Sequence, residues 1–213
     1  MKENQTAIYY ALGDTVQAIE ASPHLEGYRA RHIEVLYLSD PVDAFWVRTA
    51  LGYQGKPFKS ITQGSDDLDT IKQATAEESR TEGEAAEKDI TALFSFWKET
   101  LGDAVSSVRA SSRLAESPVC LVASEGALDK QLEKILKDQS GTAFNPAPVL
   151  EINAKHAMIR KLAGFITNQE NRHVAESMAT LLYGQARILD GEQPDDPSKF
   201  VKALSLFLEK AID

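Results

Sequence analysis

The sequence predicts a small three-layer α/β subdomain followed by an α+β domain that ends in a helical dimerisation hairpin. Two observations predict this architecture. Strand-like and helix-like runs alternate through residue 62, which is typical of a parallel sheet covered by helices. The region from Asn171 to the chain end instead carries two amphipathic helical patterns with no strand after them. We therefore predict two domains, over residues 1–75 and 76–213.

The first domain alternates strands with helices. Residues 6–12 (TAIYYAL) are rich in aromatic and β-branched side chains, which favour strands. Residues 33–39 (IEVLYLS) form a nearly continuous apolar run, typical of a strand buried on both faces of a sheet. Ser22-Pro23 and Asp40-Pro41 each place a capping side chain before a proline, which predicts two helix starts. Strands are predicted over 6–12, 33–39 and 56–62, and helices over 15–21, 22–32 and 40–51.

An acidic segment separates the two domains. Residues 63–89 hold nine acidic and three basic side chains with few apolar anchors, so we predict a solvated connector that becomes helical. A short turn is predicted between the first two strands of the second domain, and Asn153 is the predicted cap of a later helix. Beyond the helix that ends near Leu101, strands are predicted over 105–114, 118–123 and 149–152, and helices over 127–137 and 153–166.

The chain ends in a predicted hairpin of two amphipathic helices. The first covers residues 171–189, and the second begins with Asp196 as a cap and Pro197 at the first helical position. Because no later element covers their apolar stripes, we predict a four-helix bundle with a second copy of the chain across a two-fold axis. The alternative is that the hairpin packs against its own domain. The predicted dimer-interface residues are Val174, Met178, Leu181, Leu182, Leu189, Phe200, Val201, Leu204, Phe207 and Leu208.

The predicted 127–137 helix carries a second apolar stripe, formed by Leu128, Leu132, Ile135 and Leu136. Such a stripe is usually part of a core. If it is exposed, it forms an apolar surface that can bind nonpolar segments of other proteins. The two interpretations differ only in the solvent exposure of this helix.

Composition argues against several classes of protein. The chain has 23 basic and 32 acidic side chains and a net charge of -9, with no basic cluster interleaved with aromatic residues, so nucleic-acid binding is not expected. No apolar run approaches the ~20 residues of a membrane span, and the N-terminal residues show no secretory signal. The single cysteine, Cys120, forms no internal disulfide, which fits a reducing cytoplasm.

Signals for catalysis are few. The sequence contains no GxGxxG, phosphate-binding loop, HExxH, CxxC or GxSxG motif, and its four histidines lack metal-ligand spacing. The most enzyme-like residue is Asp40, at the end of a predicted parallel strand where ligands collect in open α/β sheets. Asp40 also fits the cap of the next helix, with Asp43 in the first turn favoured by the helix dipole. A small dimeric α/β enzyme with a site near Asp40, His32 and Asp43 is therefore the alternative function.

Several segments together resemble one known family. They are SPHLEGYRARHIEVLYLSDPVDAFWV and GKPFKSI at residues 22–47 and 55–61, the run FWKETLGDAVSSVRASSRLAESPVCLVASEGALDKQLEKIL at 96–136, and LEINAKHAMIRKL and DPSKFVKAL at 150–162 and 196–204. This pattern is similar to the heat shock protein 90 chaperones, in their bacterial form, from the end of the middle domain to the C-terminal dimerisation domain. The similarity covers essentially the whole chain.

The resemblance implies a homodimeric chaperone fragment. In this family the ATP site, its magnesium and the arginine that assists hydrolysis lie upstream, so we expect no catalysis and no cofactor in this chain, and ATP with magnesium only in the full-length protein. The final hairpin corresponds to the dimer interface. Client proteins are thought to contact the middle/C-terminal junction. The matching positions are Ala44, Phe45, Trp46, Arg48, Leu128, Leu132, Ile135 and Leu136.

This sequence departs from the usual bacterial pattern in two places. Leucines replace the methionines of the protruding helix, which keeps apolar area but loses flexibility. The family's tryptophan on the earlier helix aligns with Phe45, next to Trp46.

The chain ends in EKAID and not in the acidic tail of eukaryotic cytosolic members, so no tetratricopeptide co-chaperone is expected. A scaffold that dimerises without a client surface remains the third hypothesis.

Overall fold

A computed structural model describes residues 1–2, 4–63, 68, 71, 84–124, 127–129, 132–133, 136, 146–168 and 170–212, with backbone only at 84–87 and 210–212. The chain divides into two compact units that alternate along the sequence. Unit 1 comprises Met1–Glu78, Ser112–Ala115 and Val122–Pro148, and unit 2 comprises Ser79–Ser111, Glu116–Leu121 and Val149–Asp213. Much of the predicted acidic connector and of the 127–137 helix lies outside the described residues. The three-layer arrangement and the boundary at residue 75 stay predictions.

Unit 1 is built on a parallel sheet of three short strands: β1 (Ile8–Leu12), β2 (Val35–Leu38) and β3 (Phe58–Ser60). Their order is β2-β1-β3, and both neighbours pair with β1 in parallel. The central residues Tyr9, Tyr10 and Ala11 are buried. Tyr9 packs edge-on against Tyr28, with ring centroids 4.8 Å apart. The predicted strands are therefore present, each shorter than the apolar run that predicted it.

The prediction that 33–39 is buried on both faces is wrong. β2 lies at the edge of the sheet, and its four residues are half-buried or exposed, with Leu36 at 44% exposure. The strand buried through its middle is β1, which lies between the other two. The chain segments packed around β2 therefore cover its faces only in part, although its sequence is apolar.

Short capped helices connect the strands of unit 1. Thr15 accepts a hydrogen bond from the Ala18 amide at the start of α1 (Val16–Glu20). Ser22 caps a single 3₁₀ turn, Pro23–Leu25, that leads into α2 (Glu26–Arg29). The helix predicted from Asp40 is observed as α3 (Asp43–Thr49), preceded by a turn at its N-terminus. Side-chain oxygens thus satisfy amides that a helix start leaves unpaired.

Two buried arginines join distant segments of unit 1. Arg31 donates to the carbonyl oxygens of Ile71 and Gly27, both at 2.9 Å, and Arg113 donates to that of Ile61 at 2.6 Å. Both side chains are almost fully buried. A Cβ on Gly27 would lie 2.7 Å from the Arg113 backbone, so only glycine permits this approach. The 112–115 segment therefore belongs to unit 1, with Arg113 and Leu114 buried in it.

A second sheet is formed by β4 (Ser107–Ala110), β5 (Val119–Val122) and β6 (Val149–Ile152), and all of its residues except Val122 lie in unit 2. Its order is β4-β6-β5, and β4 pairs with β6 in parallel. The turn predicted between the first two strands therefore does not make them neighbours, because β6 lies between them. All four residues of β6 are buried, as expected for a central strand.

Helices cover the core of unit 2. They are α4 (Glu84–Leu101), which ends in the 3₁₀ turn Gly102–Ala104, then α5 (Ala157–Ile166), α6 (Arg172–Leu189) and α7 (Pro197–Ile212). Trp97 of α4 is fully buried, and its indole N–H donates to the Ala175 carbonyl oxygen at 3.1 Å. Leu93, Leu150 and Ile159 share the same core.

The prediction that Asn153 caps α5 is wrong. His156 is the cap: its Nδ1 accepts a hydrogen bond from the Met158 amide at 3.2 Å. Asn153 instead forms a turn before the helix, where its side chain accepts from the Lys155 amide and donates to the Ser117 carbonyl oxygen. Asparagine is a strong capping residue, but it serves equally well in an Asx turn.

The terminal hairpin depends on a close approach between α6 and α7. A Cβ on Gly184 would lie 2.5 Å from the Phe200 ring, so the aromatic side chain occupies the space beside the glycine. Gly191, with φ of +78°, ends α6 in the left-handed conformation. The Asp196 carboxylate accepts from the Lys199 amide at 2.9 Å, which confirms the predicted cap of α7.

Alanine substitutions at two helical glycines should have opposite effects on stability. Gly184→Ala forces Phe200 to move, and such overpacking costs typically about 1–3 kcal/mol. That cost exceeds the helix-propensity gain of roughly 1 kcal/mol over glycine. No atom lies within 4 Å of the position that a Cβ on Gly164 would take, so Gly164→Ala keeps the propensity gain alone.

The measurement is the free energy of unfolding from urea titrations of both variants and the wild type. We expect it to fall in Gly184→Ala and to rise in Gly164→Ala. Equal increases in the two variants would show that Phe200 does not constrain the hairpin.

Candidate functional site

Helix α3 of unit 1 presents aromatic side chains to solvent. Phe45 and Trp46 are 47% and 46% exposed, while Ala44 and Val47 on the opposite side are buried. The Trp46 ring packs against Phe58 of β3, with centroids 5.2 Å apart. This contact orients the indole while leaving about half of its surface open. Exposed aromatics on a fixed helix are typical of protein-binding surfaces.

A polar cluster lies beside β3. The Asp129 carboxylate accepts hydrogen bonds from Ser60 Oγ at 2.5 Å and from Thr62 Oγ1 at 3.1 Å. The two hydroxyls lie 2.9 Å apart. Asp129 is only 8% exposed and Ser60 is fully buried. Hydroxyl donors offset the cost of burying a carboxylate.

Tyr10 connects this cluster electrostatically to α3. Burial, together with the negative charge of Asp129, raises the pKa of its phenol to about 12, and the positive charge of Arg48 acts in the opposite direction. The phenol therefore stays neutral at physiological pH. Arg48, one of the predicted client-binding residues, is exposed on α3.

The leucines of the predicted apolar stripe in the 127–137 segment differ in solvent exposure. Leu132 is buried, with 3% exposure, whereas Leu128 and Leu136 are half-buried. Ile135 lies outside the described residues. The segment is thus docked on unit 1 where the structure describes it, and client binding at these leucines stays a prediction.

Asp40 and Asp43 serve the start of α3. Asp40 Oδ1 accepts from the Val42 amide at 3.1 Å, and Asp43 Oδ2 accepts from the Asp40 amide at 3.3 Å. This reciprocal pattern resembles a capping box. Among the described residues no three His, Cys, Asp or Glu side chains lie together as a metal site requires. The enzyme hypothesis gains no support from this geometry.

The predicted interface residues of the terminal hairpin fall into three groups according to their burial. Val174, Met178 and Leu182 pack into or against the core of their own unit, and Leu181 is also buried. Phe200 and Phe207 are half-buried. The residues that remain exposed are Leu189 (43%), Val201 (57%), Leu204 (40%) and Leu208 (55%).

Three further apolar residues near the predicted sites are exposed, and the sequence analysis did not predict them. They are Ile188 and Leu206 in the hairpin and Val42 before α3. Ile188 precedes the predicted Leu189 in the chain, so the last turn of α6 would have indicated it. Leu206 lies off the main apolar stripe of α7, and its exposure depends on how that helix is rotated against α6. Val42 follows the Asp40-Pro41 turn, where periodicity carries no information.

Arg187 fixes the connection between α6 and α7. It forms ion pairs with Glu192, at 2.9 Å, and with Asp195. Its guanidinium also lies 5.9 Å from the centre of the Tyr183 ring. The Tyr183 hydroxyl contacts Asp195 Oδ2 at 3.1 Å and donates to the Ala104 carbonyl oxygen at 3.2 Å. These bonds hold the loop that sets the start of α7.

No helix in the described part of the chain is long and apolar enough to cross a bilayer.

Comparison with known proteins gives a consistent result. The whole chain, residues 1–213, matches the family model described as "Hsp90 protein". It is 50% identical over 213 residues to "Chaperone protein HtpG" of Rhizobium meliloti, a match that covers 100% of this chain and 33% of that protein. Proteins of the same name from Nitrobacter winogradskyi and Nitrobacter hamburgensis are 46% and 45% identical, with the same coverage. The chain spans about a third of the length of these curated relatives.

The titration of Tyr10 tests the geometry around Asp129. We expect a pKa of about 12 for its phenol, measured by carbon-13 NMR of the tyrosine Cζ carbons. Asp129→Asn removes a negative charge that opposes the phenolate, so the pKa of Tyr10 should fall. Arg48→Gln removes a positive charge that favours the phenolate, so this pKa should rise. A shift in the same direction in both variants would contradict the arrangement.

Proposed function

The chain belongs to the Hsp90 family, and on that premise we propose that it forms the homodimerising, client-binding part of an ATP-dependent chaperone. The observation that carries this proposal is the exposed apolar flank of α7, together with the α3 aromatics of unit 1 as a second exposed apolar surface. Family membership supports chaperone activity for the whole protein. The two surfaces support separate roles within this chain, dimerisation at α7 and client binding at α3.

The α7 surface supports dimerisation through its spacing. Val201, Leu204 and Leu208 recur at intervals of three and four residues, so they lie on one face of the helix. Phe200 and Phe207 lie on the adjacent face and are half-buried, and the Phe200 ring lies beside Gly184 of α6. A dimer that buries about 800 Å² per protomer reaches the size of a standard stable interface. A two-fold arrangement of hairpins would supply such an area from both copies.

The α3 surface supports client binding. Phe45 and Trp46 supply apolar area, and the adjacent Arg48 adds a donor that binds carbonyl or carboxylate oxygens. Aromatic residues and arginine are enriched where proteins bind other proteins. An unfolded chain exposes both nonpolar side chains and unpaired backbone carbonyls, and this combination matches the surface. We therefore place the first client contact on α3.

We place ATP and its magnesium in the remaining two thirds of the relatives' length, outside this chain. The chain itself is then a non-enzymatic part that couples to a nucleotide site elsewhere in the protein. A cytoplasmic location, with no nucleic acid, membrane or tetratricopeptide co-chaperone among the partners, completes the proposal.

Charge placed on the α7 face should dissociate the dimer. Val201→Asp with Leu208→Asp buries two carboxylates in the proposed interface, and we expect the dissociation constant to rise at least roughly 100-fold, since each tenfold change corresponds to about 1.4 kcal/mol. Both residues are more than half exposed, so folding of the monomer should persist. The measurement is sedimentation equilibrium, with the wild type at twice the 23.4 kDa chain mass.

The control is Lys199→Gln with Lys202→Gln, which changes the net charge by the same amount on the polar side of α7. This variant should remain dimeric. A monomeric wild type at high micromolar concentration would overturn the dimer proposal.

Polar substitutions on α3 should weaken client capture without changing the oligomeric state. Phe45→Ser with Trp46→Ser should lower the affinity for a labelled, permanently unfolded protein at least about 30-fold, because a hot-spot aromatic typically contributes about 2 kcal/mol or more. Fluorescence anisotropy with reduced, carboxymethylated α-lactalbumin measures this affinity. The control, Leu51→Ser with Tyr53→Ser, removes two other exposed apolar side chains. Equal losses in the two variants would show that α3 has no specific role.

A further inference from the structure

The guanidinium of Arg187 binds both ends of the loop between α6 and α7. Its Nε and Nη2 atoms donate to Glu192 Oε2, both at 2.9 Å, and its Nη1 atom pairs with Asp195 Oδ1. Glu192 directly follows the glycine that ends α6, and Asp195 directly precedes the cap of α7. One side chain of α6 therefore holds the loop where it leaves α6 and where it enters α7.

The backbone of Arg187 reinforces this attachment. Its carbonyl oxygen accepts a hydrogen bond from the Glu192 amide at 2.9 Å, and the Ile188 carbonyl oxygen accepts one from the Gly191 amide at 3.0 Å. These two bonds, with Gly191 at φ of +78°, form a Schellman motif. The loop is therefore bonded to the last turn of α6 through both its main chain and its side chains.

Few buried contacts restrain α7 within one protomer. In the described part of α7, residues 197–209, no side chain is buried. Half-buried Phe200 packs beside Gly184 of α6, close to the start of the helix. A helix that buries no side chain in a core can tilt about its first turn. The polar attachment at Arg187 therefore contributes much of the restraint on the direction of α7.

The direction of α7 determines where the proposed dimer face lies. Because a helix rises 1.5 Å per residue, Leu208 lies about 17 Å along the axis from Pro197, and a tilt of about 10° moves it by about 3 Å. The cores of protein interfaces are packed as closely as protein interiors, so this displacement would disrupt the contact between two copies. A helix that is already held in the bound direction pays less for association.

We propose that Arg187 is a positioning residue for the dimer interface, because its ion pairs with Glu192 and Asp195 hold α7 in the direction that a second copy of the chain requires. This inference rests on the proposed dimer and deepens it, since the affinity of an apolar interface then depends on charges in the loop before α7. The side chains of Glu192 and Asp195 are 41% and 55% exposed, so salt weakens these pairs. The dimer therefore responds to ionic strength through Arg187.

Two variants with opposite changes of charge separate this role from general repulsion between copies. On a chain of net charge -9, Arg187→Met adds one negative charge and Asp195→Asn removes one. We expect both to raise the dissociation constant of the dimer, by about tenfold and about threefold, because both break the same pair and each dimer contains it twice. Repulsion alone would weaken the dimer in the first variant and strengthen it in the second. Sedimentation equilibrium of the full chain, at about 50 mM NaCl, measures both constants.

The matched control is Arg172→Met, which makes the same change of charge at the other end of α6. Arg172 is exposed, with its guanidinium 4.7 Å from the centre of the Phe96 ring. It lies about 22 Å along the helix from Arg187, so the dissociation constant should stay within about twofold of the wild type. Far-UV circular dichroism of each variant establishes that it is folded.

A double variant tests whether the two side chains act through each other. Adding Asp195→Asn to Arg187→Met should change the dissociation constant by less than about twofold, because the ion pair is already absent. A further threefold rise would show that Asp195 acts independently of Arg187, and the proposed pair would be wrong.

Salt gives a readout that a purely structural role would not move. Between about 50 mM and 1 M NaCl, the ratio of the dissociation constants of Arg187→Met and the wild type should fall from about tenfold to less than about threefold. The reason is that salt screens ion pairs that only the wild type has. A ratio that does not change with salt would show that Arg187 acts through packing alone, which would overturn the proposal.

The outcomes also separate this inference from the proposed function. If the wild type is dimeric and its dissociation constant is unchanged in Arg187→Met, or falls in Asp195→Asn, the positioning role fails and the dimer stands. If the wild type is monomeric at high micromolar concentration, the dimer proposal and the positioning role fail together.

Discussion

The packing of α7 against α6 at Gly184 and Phe200 is the contact on which the terminal hairpin depends. Because glycine leaves room for the ring, α7 packs Phe200 against its own chain. The neighbouring face, with Val201, Leu204 and Leu208, is then left in solvent. One helix thus carries two apolar faces with different partners. The apolar composition of the hairpin alone would not distinguish them.

Unit 1 is held by polar groups at the places where its chain segments are most distant in sequence. Arg31 and Arg113 bind backbone carbonyl oxygens, and Asp129 binds two hydroxyls. Hydrophobic contact brings segments together without specifying orientation, whereas buried polar groups are satisfied in only one arrangement.

Asp40 and Asp43 are the acidic residues that most resemble a catalytic site, but their hydrogen bonds are those of a turn before a helix. Asp40 follows a parallel strand and precedes a helix, which is the position of ligand-binding residues in many α/β proteins. Its oxygen nevertheless accepts from the Val42 amide, and Asp43 accepts from the Asp40 amide. Both carboxylates therefore accept amide hydrogen bonds in the turn before α3, the helix that presents Phe45 and Trp46, and the N-cap of α3 is Val42 and not the predicted Asp40. Their contribution to the proposed function is structural support of that surface.

The sequence by itself determined where most strands and helices lie, the cap at Asp196, the family, and the apolar helix faces, because these depend on residues only a few positions apart. Tertiary structure decided which strand is central. It also decided that β6 lies between β4 and β5, and that His156, not Asn153, caps α5. It likewise decided that Leu132 is buried while Leu208 is exposed. The strand order and the burial of these leucines are set by chain segments far away in sequence, and local periodicity carries no information about which segment will cover a given face. The His156 cap is instead a local bond, which helical periodicity does not distinguish from a cap at Asn153.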